Sequence, residues 1–167
     1  MENNICILKK RFKVIINKKD LNECVKNGKV FISYLKSVKN LPIEFYKDIS
    51  YYCEDLFLKG LSLEKDEDRF FYNDFFIGMG LYFCNQYIKG RGFEVFNNEE
   101  DINFLIDMST FYELGDRHDE KFDLLENMVK CSEKNCFKLK AIDQILNIGG
   151  LNKDIFDKYQ ELKKELI

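Results

Sequence analysis

The sequence predicts a mainly α protein: a single-domain helical bundle of about six or seven helices, with a short β element allowed near the N-terminus. Three observations support this fold class. From position 40 onward apolar residues recur at helical spacing, glycine stands mainly where a helix would end, and one long segment is apolar on nearly every side. The 167 residues suffice for one domain with its own core, so we expect residues 1–167 to form a single domain.

The N-terminal third has the least decisive pattern. Residues 12–16 alternate in a way that is compatible with a β-strand. Asn27-Gly28 is consistent either with a hairpin turn or with the end of a helix, and residues 93–95 would then supply a partner strand. These segments carry the expected β element.

The first well-defined helix is predicted between Asn40 and Gly60. Asn40 is expected to cap it, Pro42 suits its first turn, and Gly60 suits its end. Its apolar stripe follows helical spacing through Phe45, Ile49, Tyr52 and Leu56.

The next helix is predicted from Asp66 to Lys89 and has almost no polar side beyond its acidic start. Such a helix is expected to be buried at the centre of the bundle. Gly78 and Gly80 weaken it by roughly 1 kcal/mol each relative to alanine, which the close approach of a neighbouring helix would offset. Its expected core residues are Phe75, Phe76, Met79 and Phe83.

Three or four further helices are predicted by the same signals, with candidate segments at 98–115, 117–131, 137–146 and 155–166. Asn98 is expected to cap the first of them. Gly149-Gly150 separates the last two.

The cysteines favour a reducing compartment. None has a spacing typical of a zinc site or a redox pair, and the sequence begins with no recognisable targeting segment, so we expect free thiols and a cytoplasmic location. The longest apolar run, residues 75–84, has ten residues, about half of a membrane span, so no membrane association is expected. The six cysteines of the chain are Cys6, Cys24, Cys53, Cys84, Cys131 and Cys136.

Charge is segregated along the chain. Residues 1–50 hold 11 Lys/Arg and 5 Asp/Glu, residues 51–130 hold 8 and 18, and residues 131–167 hold 7 and 6. A segregated acidic surface steers association and selects partners of the opposite charge. The acidic middle therefore predicts a surface that binds a basic protein, such as a toxin or a nucleic-acid-binding enzyme.

The predicted partner-binding residues come from this acidic middle, together with one tyrosine, because an acidic rim around an aromatic side chain suits a cationic partner. No catalytic residue, metal ligand or cofactor is predicted. The set is Asp66, Glu67, Asp68, Glu99, Glu100, Asp101, Asp107, Tyr112, Glu113, Asp116, Asp119 and Glu120.

The one histidine, His118, lies in the acidic stretch 116–120 and defines an alternative site. Asp116 and Asp119 beside it would form an acid/base couple or recruit a metal ion in a hydrolase or metal-dependent enzyme. The simpler interpretation is a helix start, with Asp116 as the N-cap and Asp119 and Glu120 in the first turn.

The basic start of the chain, residues 9–13, suggests a contact with nucleic acid. Lysine outnumbers arginine by 22 to 4 in the chain, however, and arginine is the residue that most often reads bases. We therefore expect a solvated face or an internal counterpart to the acidic middle, and no direct binding of nucleic acid.

Three functional hypotheses follow from the sequence. The first is a small cytosolic inhibitor, either an immunity protein for a bacterial toxin or a phage or viral antagonist of a defence enzyme. Under this first hypothesis the protein is not expected to be an enzyme. The second is the hydrolase or metal-dependent enzyme at 116–120, and the third is a structural or scaffold subunit. The composition, rich in Lys, Asn, Ile and Phe, is typical of an AT-rich bacterial or viral genome.

Overall fold

The computed structural model describes residues 2–167, with the side chains of residue 4 onward. Within this range the chain forms eight α-helices and a short 3-10 helix, and no strand. The mainly α prediction is confirmed. In order, the helices are α1 Glu2–Ile16, α2 Leu21–Ser37, α3 Ile43–Leu61, α4 Asp66–Arg91, the 3-10 helix Gly92–Phe96, α5 Glu99–Leu114, α6 His118–Cys131, α7 Asn135–Leu146 and α8 Lys153–Leu166.

The predicted β element is wrong. Residues 12–16 belong to α1, which buries Phe12 and Ile15 at i and i+3 while Val14 remains exposed. The segment 93–95 lies in the 3-10 helix, and Asn27-Gly28 lies inside α2 rather than at a turn. Two additional helices therefore replace the expected strand, which raises the helix count to eight.

The expected start of α3 also needs correction. Asn40 has a positive φ of 60° and is not the cap, whereas Pro42 occupies the N-cap position without a side-chain hydrogen bond. Asn98, by contrast, caps α5 as predicted. Its Oδ1 accepts hydrogen bonds from the backbone N–H of Glu100 at 2.9 Å and of Asp101 at 3.2 Å.

The contacts of the chain divide it into two compact units, Met1–Gly90 and Arg91–Ile167. We call these unit 1 and unit 2 and describe each by itself. The expectation of a single domain stays a prediction.

In unit 1 successive helices run antiparallel. The rings of Phe12 and Phe31, whose centroids are 6.4 Å apart, join α1 to α2. Tyr46 of α3 stacks on Phe83 of α4 with centroids 6.1 Å apart. The buried core of this unit includes Ile32, Leu35, Phe45, Ile49, Leu56, Phe57, Phe76, Phe83 and Tyr87.

Two lysines of α2 lie over aromatic rings of α4. The Lys29 ammonium is 3.7 Å from the centroid of Phe71 and 5.2 Å from that of Phe75, and Lys36 is 4.8 Å from Tyr82. These cation–π contacts join α2 to a part of α4 whose aromatic side chains are not fully buried. Phe76, Met79 and Phe83 are buried as expected, whereas Phe75 is only half-buried and Phe70 is exposed.

In unit 2 helices α5 to α8 pack around a second apolar core. The Ser132 hydroxyl donates to the Phe96 carbonyl oxygen at 2.8 Å and so ties the end of α6 to the 3-10 helix. Lys163 of α8 pairs with Asp143 of α7 at 2.7 Å. The buried side chains include Ile102, Leu105, Met108, Phe111, Leu125, Met128, Ala141, Ile142, Ile145 and Tyr159.

Candidate partner-binding surface

The two units carry opposite net charge. Residues 1–90 hold 15 Lys/Arg and 12 Asp/Glu, whereas residues 91–167 hold 11 and 17. Unit 2 is therefore the acidic part of the molecule. The acidic residues predicted for partner binding are divided between the units, and the structure gives them different roles.

Asp66, Glu67 and Asp68 form the first turn of α4 in unit 1. Asp66 pairs with Arg69 one turn later, and Asp66 and Glu67 are exposed. Carboxylates in the first turn stabilise a helix by interacting with its dipole. These three residues thus have a local role in starting α4, and Glu67 is exposed without a recorded ion pair in the described part of the chain.

Asp101 is not available to a partner. Its side chain is 4% exposed, and its Oδ2 accepts hydrogen bonds from Nη2 of Arg91 at 2.9 Å and from Nε at 3.3 Å. The pair ties Arg91, the first residue of unit 2, to the first turn of α5. Glu99 and Glu100, its neighbours in the same first turn, are exposed, and Glu99 lies 4.0 Å from Lys140.

Tyr112 and Glu113 are also engaged within unit 2. Tyr112 is buried in the core of unit 2. An oxygen of Glu113 accepts a hydrogen bond of 2.6 Å from Nζ of Lys121, a lysine whose side chain is only 1% exposed. This charge-assisted bond joins the end of α5 to the start of α6, so Glu113 is committed to holding a buried cation.

The turn before α6 differs from the expected cap. Asp116 has a positive φ of 56°, and Arg117 stands at the N-cap position without a side-chain cap bond. A left-handed conformation is one that aspartate tolerates better than most residues. The Asp116 side chain is 98% exposed and lies 3.9 Å from Nε2 of His118, while Arg117 pairs with Glu120 at 3.5 Å.

Three exposed carboxylates of unit 2 lie close together in the sequence, those of Asp116, Asp119 and Asp123, and we call them the carboxylate cluster. All three are exposed, and among the described residues Asp119 and Asp123 make no ion pair while Asp116 approaches only His118. Asp119 and Asp123 are four residues apart on α6, so they lie on the same side of the helix, about 5–6 Å apart at Cβ. Asp107 is exposed as well, on α5.

The stretch 116–120 does not assemble a metal site. Across residues 4–167 no group of three or more His, Cys, Asp or Glu side chains is arranged to hold a metal ion. Among these side chains, His118 has Asp116 as its nearest recorded partner. The arrangement presents negative charge to solvent, which allows it to attract and pair with cations on another protein.

Sequence reasoning missed the two basic residues that neutralise part of the acidic segment, Arg91 and Lys121. A signal for Lys121 was present, since it precedes Leu124, Leu125 and Met128 by three, four and seven residues. That spacing places it on the buried stripe of α6. Arg91 follows Gly90 at the end of an apolar helix, and no pattern in the sequence indicates its partner.

Two of the thiols in the core of unit 1 are poorly reactive. Burial raises the pKa of both Cys24 and Cys53, which keeps them protonated and poorly reactive at neutral pH. None of the six cysteines forms a disulfide bond.

None of the helices in the described range combines the length and the apolar character that a membrane crossing requires. A scan against protein-family models, a search of curated proteins and a search of solved structures each found no match.

Proposed function

We propose that the protein is a small protein-binding inhibitor that occupies a basic partner with the acidic surface of unit 2. The observation that carries this proposal is the carboxylate cluster, which places three exposed carboxylates within eight residues with no cation of the described chain committed to Asp119 or Asp123. A basic toxin or a nucleic-acid-binding enzyme is the partner class that this charge suits. The free thiols are compatible with action in the cytoplasm.

The mechanism is electrostatic steering followed by occlusion. Exposed charges of one sign speed the encounter with an oppositely charged surface, and salt screens them beyond about 8 Å at physiological ionic strength. A bound inhibitor would cover the basic surface with which such an enzyme holds its own anionic substrate. The activity required of the protein is therefore binding alone, with no chemical step.

The test neutralises the carboxylate cluster without changing its shape, in the triple variant Asp116→Asn, Asp119→Asn, Asp123→Asn. The matched control is Asp154→Asn, Asp157→Asn, Glu161→Gln on α8, where three exposed carboxylates are interleaved with lysines. Proteins captured by the wild type from an extract of the source organism are identified by mass spectrometry. The captured partner is then purified, and its association rate and its own activity are measured.

We expect a basic partner that is inhibited at equimolar protein and associates about tenfold more slowly with the triple variant at low salt, because the steering field is reduced. The α8 control should associate like the wild type. If the triple variant binds as fast as the wild type, or if rising salt leaves the wild-type rate unchanged, the acidic-surface mechanism is wrong.

A further inference from the structure

Unit 1 has an exposed apolar face formed by α1 and α2. Ile7 and Val14 on α1 are 61% and 68% exposed, and Val30 and Tyr34 on α2 are 65% and 50% exposed. Isolated apolar residues on a surface are ordinary, but four on two neighbouring helices form a patch of the kind that marks an interaction site.

These four side chains belong to one face. Ile7, Arg11 and Val14 are spaced i, i+4 and i+7 on α1, and Val30 and Tyr34 are spaced i and i+4 on α2. The helices run antiparallel, with the guanidinium of Arg11 5.7 Å from the ring centroid of Phe31 in α2. Tyr34 therefore lies beside Ile7, and Val30 lies towards Val14.

At the Ile7 end the face deepens into a groove of about 400 Å³. Its floor and walls come from α1, the end of α2 and the segment that leads to α3. The apolar residues that line it include Ile7, Leu8, Tyr34, Val38, Leu41 and Pro42.

The cations that line the groove, Arg11 and Lys39, have no carboxylate partner among the described residues. Arg11 makes a cation–π contact with Phe31, and Lys39 has no recorded ion pair. A groove with apolar walls and cations at its edge is complementary to a ligand that is apolar on one side and acidic on the other.

We propose that this groove binds an acidic amphipathic helix of a partner protein. The face between Ile7 and Val14 spans two turns of α1, which matches anchors at i, i+3 or i+4, and i+7 on a docked helix. A second copy of this face would bring cations against cations, which disfavours a symmetric dimer. A bilayer surface is flat and would leave the concave end of the groove unfilled.

The test uses a fluorescein-labelled helical peptide of about 14 residues, with leucine at i, i+3, i+4 and i+7 and glutamate at the outer positions. Binding to the whole protein is measured by fluorescence anisotropy, and the contact surface is mapped by NMR chemical-shift changes. One control peptide has the same composition in scrambled order, and a second has lysine in place of glutamate. We expect the acidic amphipathic peptide to bind at least tenfold more tightly than either.

Variants of the protein separate the apolar contribution from the electrostatic one. Tyr34→Ala should weaken binding about tenfold, as expected for an aromatic anchor, while Phe70→Ala removes a still more exposed ring elsewhere and should have no effect. Arg11→Gln with Lys39→Gln should weaken binding about fivefold and flatten its salt dependence. Lys65→Gln with Lys89→Gln is the matched charge control. Thermal melting checks that each variant is folded.

The proposal is overturned if the peptide shows no binding up to about 1 mM, or if the scrambled peptide binds equally well. It is also overturned if the shift changes fall outside α1 and α2. Two further measurements test the other occupants. Tyr34-dependent binding to vesicles of anionic phospholipid in preference to the peptide, or Tyr34-dependent dimerisation in sedimentation equilibrium, would replace the proposed helix with a membrane or with a second copy.

Discussion

Glu126 of α6 is one of the acceptors that link α8 to the rest of unit 2. One of its oxygens accepts from Lys130 Nζ at 2.6 Å, and the other accepts from the Tyr159 hydroxyl at 3.3 Å. The hydrogen bond from Lys130 is the main reason why the pKa of Glu126 is lowered. Burial, and then the charge of Glu126, raise the pKa of Tyr159 to about 12.

The raised pKa of Tyr159 predicts that the free energy of unfolding decreases at alkaline pH. Tyr159 is neutral when protonated, and its pKa rises from 10.0 to about 12 on folding. Its contribution is therefore complete below pH 10 and is lost as the pH rises through about 12. The free energy of unfolding, measured with urea at intervals across this range, should fall, and Tyr159→Phe should reduce the steepness of the fall. An equally steep fall in Tyr159→Phe would contradict the assignment.

For individual residues, the sequence indicated which are acidic but not which of them face solvent. Asp101 and Tyr112 are buried because they sit on the inner side of α5, a helix whose apolar residues surround more than one face. Glu113 is exposed in part, yet it is committed to Lys121. Composition cannot reveal such pairs, because they depend on which helices become neighbours.

Helix α2 contains a glycine at a point of close contact. A Cβ atom at Gly28 would overlap the side chain of Leu56, which is fully buried in α3. The absence of a side chain therefore lets α2 and α3 approach each other. The Asn-Gly pair that resembled a turn is a packing feature of a helix.

Gly28→Ala and Gly78→Ala should have opposite effects. Alanine favours a helix by about 0.5–1 kcal/mol over glycine. At Gly78 no neighbouring atom lies within 4 Å of a Cβ, so the gain should appear as increased stability. At Gly28 overpacking against Leu56 should outweigh the gain, with a net loss of about 1–2 kcal/mol in urea unfolding. Stabilisation by Gly28→Ala would mean that Leu56 can move aside.

The helices from residue 43 onward were predictable because their stripes are long and their ends carry clear signals, such as Asn98 before α5 and Gly115 after it. The N-terminal third was not. Residues 12–16 hold β-branched residues in a short run, which suits a strand as well as a helix. The helical conformation of α1 is supported by the packing of Phe12 on Tyr52, whose ring centroids are 3.7 Å apart. The two residues are 40 positions apart in the sequence, so a local pattern does not reveal this contact.

The single-domain prediction concerns the whole molecule and can be tested from within unit 1. Phe76 is fully buried, so Phe76→Ala should cost about 3–5 kcal/mol. If residues 1–167 unfold as one domain, amide hydrogen exchange in residues 91–167 should lose protection to the same extent. Phe70→Ala, at an exposed position of the same helix, should change neither unit. Unchanged protection in residues 91–167 of Phe76→Ala would contradict a single cooperative domain.

The opposite charges of the two units also determine how the protein behaves on a chromatography resin. With a formal net charge of −3 and an isoelectric point near 5.4, it would be assigned to an anion exchanger at neutral pH. Adsorption depends on the charge that a local surface presents rather than on the sum over the chain. We therefore expect unit 1, with its excess of lysine and arginine, to give the protein a second mode of retention, on a cation exchanger in dilute buffer.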